Sequence, residues 1–282
     1  MKFGTYDVYR IHAGDFKLDG GAMFGVVPKV LWSKKKPTDE FNRIEMCTNL
    51  LLLKSDSHTV LIDTGNGYKE DEKFRSIFAL DYSNNDLFSS LAQYDIKPED
   101  ITDVILTHLH FDHAGGATSY NSDKDLFPTF PNATYHIHRK QYEWALNPSQ
   151  RDRASYYTQN FIPLVEQKRV NWIDLKAFPL PGIQLIEVNG HTPGQVLPLI
   201  EDPVHPLLYG GDLIPMYPHV ALPWIMGYDL FPLTTLEEKH TLVPRAANEN
   251  WIIFFEHDPE VYAATVKEGE KNYEINEIIN LE

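Results

Sequence analysis

Three histidines and an aspartate, His108, His110, Asp112 and His113, occupy six consecutive positions in the run Thr107-His108-Leu109-His110-Phe111-Asp112-His113-Ala114-Gly115-Gly116. Imidazole and carboxylate are the donors that suit zinc and other first-row metals. In an extended segment leaving a strand, side chains at i and i+2 point the same way, so His108 and His110 can bind one ion together. Asp112 and His113 are offset from that pair and can reach a second ion a few ångströms away. Gly115 and Gly116 follow, where a helix start can approach closely with no side chain in between.

These four positions do not complete two sites, because a catalytic metal usually takes three or more protein ligands plus an open position for water. Three further residues have the right chemistry and place. His191 lies in Gly190-His191-Thr192-Pro193-Gly194, Asp212 in Tyr209-Gly210-Gly211-Asp212, and His257 in Phe254-Phe255-Glu256-His257-Asp258. Each follows an apolar, strand-like run, so all three project from one rim of a sheet. The remaining histidines, His12, His58, His136, His138, His205 and His240, have no such partner spacing and are expected to be surface or structural residues. Cys47 precedes an apolar strand and is expected in the core.

The elements that must position these groups follow from periodicity. Phe3 to Ile11 alternates and predicts a strand. Leu18 to Met23 is turn-like, and an apolar run continues to Trp32. Asn49 to Lys54 and His58 to Ile62 predict a hairpin that ends in the turn Asp63-Thr64-Gly65-Asn66-Gly67. Asp86 to Tyr94 has helical spacing with Asp86 as its N-cap. Strands are expected over Ile101 to Leu106, Tyr135 to His138, Ile183 to Val188, Val196 to Ile200, Pro206 to Tyr209 and Trp251 to Phe255. Helices are expected over Ser155 to Lys168, near Thr235 to Ala247 and near Pro259 to Glu268. This alternation implies an α/β fold, a mixed sheet sandwich with helices outside. No linker or internal repeat divides residues 1–282, which are read as one domain with long loops.

Charge and hydropathy narrow the function. A formal net charge of −15 repels phosphate backbones, so nucleic acid is not expected as a substrate. Lys34-Lys35-Lys36 is too short to offset it and is expected to be a solvated loop. One cysteine excludes an intrachain disulfide. No apolar run approaches the roughly 18 residues needed to span a bilayer, so no membrane partner is expected. The N-terminal residues lack the pattern of a signal peptide, which predicts a cytoplasmic location.

The His-x-His-x-Asp-His motif at 108–113, together with His191, Asp212, the late His257 and the Asp63-Thr64-Gly65 turn, resembles the metallo-β-lactamase superfamily over nearly the whole chain. The resemblance implies a four-layer αββα sandwich with metals at one edge of the sheets. It implies that His108, His110 and His191 hold the first ion, that Asp112, His113 and His257 hold the second, and that Asp212 bridges both. Asp63 would orient a ligand histidine. Two such divalent ions, zinc by preference with iron, manganese or cobalt also suited, would yield hydroxide from a bridging water near neutral pH and polarise a carbonyl or phosphoryl oxygen. Asp112 would ligate and also pass a proton to the leaving group.

Within the superfamily, the motif fixes a reaction class and other features favour a substrate. True β-lactamases of this kind generally lack the aspartate matching Asp212. The diiron flavoproteins place Glu where His110 stands. The RNA-processing members need a basic surface. Glyoxalase II-like thioesterases usually add a C-terminal helical region, whereas only about 25 residues follow His257. Asp19 to Pro28, and Gly211 to Pro215 continuing to His219 and through Pro223 to Asp229, are similar to the quorum-quenching N-acyl homoserine lactonases of the YtnP-like branch. A small-molecule lactone is therefore the expected substrate, and a phosphotriester or aryl ester, as in methyl parathion hydrolase-like enzymes, is the alternative. Met23, Phe24, Trp224, Ile225 and Met226 are candidates to line an acyl pocket, with core or dimer packing as their other expectation. The best-known lactonases place a tyrosine soon after the bridging aspartate; here Tyr217 follows Asp212 by five residues and His219 by seven, and the closer family pattern shifts that role to His219 or Tyr228. The same resemblance implies a homodimer, with Gly20 to Pro28 as a candidate contact.

Overall fold

The computed structural model describes residues 1–281. Apolar strand runs assemble into two main sheets. The first runs in the order Lys2–Phe3, Tyr6–Asp19, Arg43–Lys54, Thr59–Ile62, Asp103–Ile105, Thr134–Ile137, Val170–Trp172. The second runs Ile183–Val188, Gln195–Ile200, Leu207–Tyr209, Ile252–Phe254, Ala263–Glu268, Tyr273–Ile278. Alternate side chains of each sheet enter different layers, as the period-2 pleat requires. Val8, Leu51, Val60 and Ile105 of the first sheet meet Val196, Leu207, Tyr209 and Phe254 of the second in one buried cluster. On its other face the first sheet packs Leu50, Leu52 and Val104 against Leu91, Ala145 and Leu164 from helical segments. The second sheet's outer face packs Leu199 and Ile253 against Leu242, Val243 and Ala246 of the helix Pro232–Asn248. The layer order is helix, sheet, sheet, helix, as the resemblance implied. Each fully buried Leu, Ile or Val in these layers contributes about 1.5–3 kcal/mol of transfer free energy.

Parallel pairing sets where the chemistry sits. Thr59–Ile62, Asp103–Ile105 and Thr134–Ile137 run parallel, as do Leu207–Tyr209 and Ile252–Phe254. Their carboxyl ends therefore emerge along common edges, and the turns beyond them carry Asp63, His108, Asp212 and His257. Backbone bonds stitch the two sheets at this rim: Val196 N donates to Thr107 O at 2.9 Å, and Asn49 N to Glu256 O at 2.8 Å.

Several expected elements are present. The hairpin is Arg43–Lys54 with Thr59–Ile62. The helix Leu87–Ala92 is N-capped by Asp86 in a capping box with Ser89. Others differ. The segment expected as a last helix, Pro259 to Glu268, instead forms the strand Ala263–Glu268, hydrogen-bonded on both sides. Two open ladder partners and the β-branched Thr265 and Val266 outweigh the helical bias of Ala263 and Ala264. Ser155 to Lys168 is not one helix. It breaks into 3₁₀ turns at Arg153–Ser155 and Thr158–Asn160 and a short helix Ile162–Glu166, with Pro163 in its first turn. The turn-like Leu18 to Met23 stretch continues the strand to Asp19, which then caps the helix Gly20–Phe24 by accepting from Ala22 N. The lysine run is solvated only in part: Lys36 is buried and its Nζ pairs with Asp258 Oδ1 at 2.8 Å. Among the described residues no helix is long and apolar enough to cross a membrane.

Candidate metal centre

Every ligand candidate lies in a turn just beyond a strand or in a short helical turn. Asp103–Ile105 delivers Thr107 to His110, and the one-turn helix Phe111–Ala114 then aims Asp112 and His113. The turn at Asp63 holds that helix: Thr64 N and Oγ1 both donate to His113 O at 2.8 Å. Asp63 adopts φ +59°, a left-handed conformation that aspartate tolerates better than most residues. His191 and Asp212 leave the strands Ile183–Val188 and Leu207–Tyr209, and His257 leaves Ile252–Phe254.

Two groups result. His108, His110, His191 and Asp212 bring ligand atoms within 4.8 Å of one another, and so do Asp112, His113 and His257. In the first group, His110 Nδ1 lies 3.0 Å from His108 Nε2 and 3.1 Å from His191 Nε2. In the second, His113 Nε2 and His257 Nε2 are 3.2 Å apart, with Asp112 oxygens 3.8 Å from each. Asp212 stands between the groups: Oδ2 is 3.1 Å from His191 Nε2 and Oδ1 is 3.2 Å from His257 Nε2.

This donor set fits metal ions. Tetrahedral coordination at zinc–nitrogen distances of about 2.0–2.1 Å puts neighbouring nitrogens roughly 3.3 Å apart, near the spacings found. Four far nitrogens are already used, while His110 Nε2 is buried without a hydrogen-bond partner. His108 Nδ1 is 3.1 Å from Thr107 Oγ1, His113 Nδ1 is 3.0 Å from Asp63 Oδ2, His191 Nδ1 is 2.9 Å from Asp229 Oδ1, and His257 Nδ1 is 3.0 Å from Cys47 O. A carboxylate or carbonyl only accepts, so His113, His191 and His257 each carry a proton on Nδ1, which leaves Nε2 as the nitrogen that a metal would take in place of a proton.

Electrostatics point the same way. Burial alone lowers an imidazole pKa, and it holds His108 and His110 well below the usual value, helped by neighbouring histidines. At His191 burial is more than reversed by Asp212 and Asp229, which push it up to about 10. At His257 burial is likewise overcome by Asp212 and Glu256, to about 9. His113 rises well above its usual value against burial through Glu256, Asp212 and Asp112. Burial opposes ionisation of Asp212, but His113 and His191 hold its carboxyl well below the usual range. Buried carboxylates here demand positive charge, which protons or metal ions can supply.

The other expected residues lie around this cluster. Met23, Phe24 and Met226 are buried with Phe16, Trp32 and Met216, and Trp224 packs on them half-buried. Phe16 touches His257 edge-on at 5.5 Å, so this cluster abuts the candidate ligands. His219 is buried, stacks on Phe24 at 5.0 Å, and spends Nε2 on Met23 O at 2.8 Å. Tyr228 is 38% exposed. Burial, then the charges of Asp19 and Asp112, raise its phenol pKa. Cys47 is fully buried, as expected.

Some neighbours of the candidate ligands were not singled out in the sequence. Tyr156 packs on His110 with rings 4.6 Å apart and shares a 2.7 Å hydrogen bond with Thr192. Glu256 Oε2 lies 3.0 Å from His113 Nδ1. Burial pushes Glu256 up to about 8, against the pull of His113. An acid following an apolar strand directly was the signal for Glu256, whereas nothing local marked Tyr156.

An N-acyl homoserine lactonase of Bacillus cereus is 30% identical over 159 residues, 53% of this chain and 56% of that protein. An N-acyl homoserine lactonase AttM of Azorhizobium caulinodans is 26% identical over 184 residues, 61% of this chain and 64% of that one. The chain thus spans little more than half the length of the curated relatives it matches. Among solved structures, a probable metal-dependent hydrolase from Staphylococcus aureus superposes with a TM-score of 0.88 at 29% identity, over 99% of this chain and 100% of that one. A dizinc quorum-quenching lactonase in complex with a product superposes with a TM-score of 0.79 at 23% identity, over 99% and 97%, a likeness of fold. The metallo-β-lactamase superfamily pattern matches residues 47–257, and the chain belongs to that superfamily.

Proposed function

We propose that this chain is a dinuclear metal-dependent hydrolase that opens a lactone ring, with N-acyl homoserine lactones as its substrate class. The observation that carries the proposal is Asp212, whose two oxygens face histidines of two different groups at 3.1 and 3.2 Å. His108, His110 and His191 would hold one ion, Asp112, His113 and His257 would hold the other, and Asp212 would contribute to both. Zinc suits these donors best, and iron, manganese and cobalt also suit them. Bound there, two divalent ions supply Lewis acidity and bring the pKa of water toward neutrality.

The chain's own residues do the rest. Asp63 fixes His113. The Asp112 carboxylate, 3.8 Å from His113 and His257, can take up a proton and return it to the ring oxygen as the ester bond breaks. Tyr228, partly exposed and near enough to Asp112 to feel its charge, would offer a phenolic donor to the substrate carbonyl. Trp224, packed on Phe24, presents an apolar wall for an acyl chain. The relatives named as N-acyl homoserine lactonases support this substrate class.

The test compares kcat/KM of the zinc-loaded protein on acyl homoserine lactones of several chain lengths, an aryl ester and an activated phosphotriester. A lactone is expected to lead. A phosphotriester that outruns every lactone would overturn the substrate, and no turnover of any ester would overturn the hydrolase. Asp212→Ala is expected to reduce binding of both ions, and two ions still bound in that variant would contradict the assignment.

A further inference from the structure

Asp229 is a buried carboxylate that the proposed chemistry leaves unused. It is 2% exposed, and its Oδ1 lies 2.9 Å from His191 Nδ1. Its Oδ2 is buried with no hydrogen-bond partner. The buried ammonium of Lys239 acts on Asp229 only through its field, because its Nζ donates to Ala221 O at 2.8 Å and Trp224 O at 2.7 Å. A carboxylate buried with a single partner destabilises a fold unless that partner carries positive charge. His191 becomes such a partner when its Nε2 holds a cation.

The backbone around Asp229 ties the same two places together. Leu230 N donates to His191 O at 3.2 Å, and Phe231 N to Gly190 O at 2.8 Å. On the other side Gly227 N donates to Ala22 O at 2.7 Å. The segment from Trp224 to Phe231 therefore runs from the apolar wall to the His191 turn, and Asp229 is its side-chain link to the histidine itself.

We propose that Asp229 is a positioning residue: it holds His191 in the Nδ1–H tautomer, and it couples the ion held by His108, His110 and His191 to the segment that carries Trp224, Met226 and Tyr228. The proposal rests on His191 being a metal ligand. It predicts that metal loading slows hydrogen exchange at the Leu230 and Phe231 amides.

The experiment measures zinc affinity by chelator competition, and amide exchange with and without zinc, in the full-length wild type, Asp229→Asn, Asp229→Ala and His191→Ala. Asp229→Ala is expected to weaken one of the two ions roughly ten- to a hundredfold and to abolish metal-dependent protection of Leu230 and Phe231. Asp229→Asn retains an accepting oxygen without the charge, so it should fall between the two and serves as the test if the alanine variant does not fold. Two ions bound with wild-type affinity, or unchanged metal-dependent protection, in Asp229→Asn and in any folded Asp229→Ala protein would overturn the proposal. His191→Ala should lose one ion. Both ions retained there would overturn the ligand assignment itself, a failure separate from that of Asp229.

Discussion

Asp63 accepts from His113 Nδ1 at 3.0 Å with the same oxygen that accepts from Thr107 Oγ1 at 2.7 Å. Its other oxygen accepts from Thr107 N at 2.8 Å. One buried carboxylate thus fixes the ring of His113 and the backbone entering the His108–His113 run. Glu256 also stands 3.0 Å from the same His113 nitrogen, so its charge acts on the ring while Asp63 supplies the hydrogen bond that orients it.

Asp63→Asn keeps the shape and turns one oxygen into a donor that faces other donors. The expected result is a loss of about 1–3 kcal/mol of stability and a roughly 10–100-fold weaker ion at Asp112, His113 and His257. Metal titration checks this: the ion at His108, His110 and His191 should be less affected, and equal weakening of both would show that Asp63 does not act through His113.

What was legible in the sequence was what is local. His108 to His113, His191, Asp212 and His257 could be singled out because each follows an apolar run, and strand ends are where side chains leave a sheet. The helix Leu87–Ala92 was legible for the same reason, since Asp86 and Ser89 cap it from within four residues. What was not legible depends on partners far along the chain. Ala263–Glu268 is a strand because two other strands stand open beside it. Lys36 is buried because Asp258, 222 residues away, awaits it. Asp229 could be quoted from the sequence within a similar stretch, but its pairing with His191 spans 38 residues that only the fold brings together.

Lys239 gives a pH prediction. It is fully buried, and burial pushes its pKa down to about 7, against the pull of Asp229. An unfolded lysine titrates near 10.4. Between these values the unfolded chain binds more protons than the folded one, so stability rises with pH across that window. The contribution of this group is at most about 1.4 kcal/mol per pH unit, with its full cost present below pH 7. Lys239→Met removes that slope. Urea unfolding of both proteins from pH 7 to 10, at equal metal loading, should show the wild type gaining on the variant as pH rises. Parallel curves would show that the buried amine does not titrate there.

Cys47 is the chain's one cysteine, fully buried, and burial raises its thiol well above the usual range. A thiol reagent should leave the native protein unlabelled and label one site after denaturation. Cys47→Ala should cost about 1–2 kcal/mol through the small cavity it leaves. It should nevertheless keep both ions, because His257 Nδ1 bonds the Cys47 carbonyl, which the substitution retains. Loss of an ion in that variant would assign the thiol a role that its burial argues against.

Gly115 closes the His108–His113 run against the turn that Asp63 begins. A Cβ there would lie 2.0 Å from Asn66 O and 2.4 Å from Asn66 C, backbone atoms with little room to move. Gly67 meets the same wall from the other side, since its Cβ would lie 2.3 Å from Gly115 O. Lys69 Nζ further pins the spot by donating to Gly115 O, and to Thr118 O at 2.6 Å. Gly115 has φ −59°, so alanine suits its backbone and only the contact excludes it. Gly115→Ala must push the two turns apart, at a cost of about 1–3 kcal/mol or more. The push falls on Asp63 and His113 together, so the ion at Asp112, His113 and His257 should weaken more than its neighbour. Thermal melting paired with metal analysis reads both effects, and an unchanged melting temperature would show that the turns separate freely.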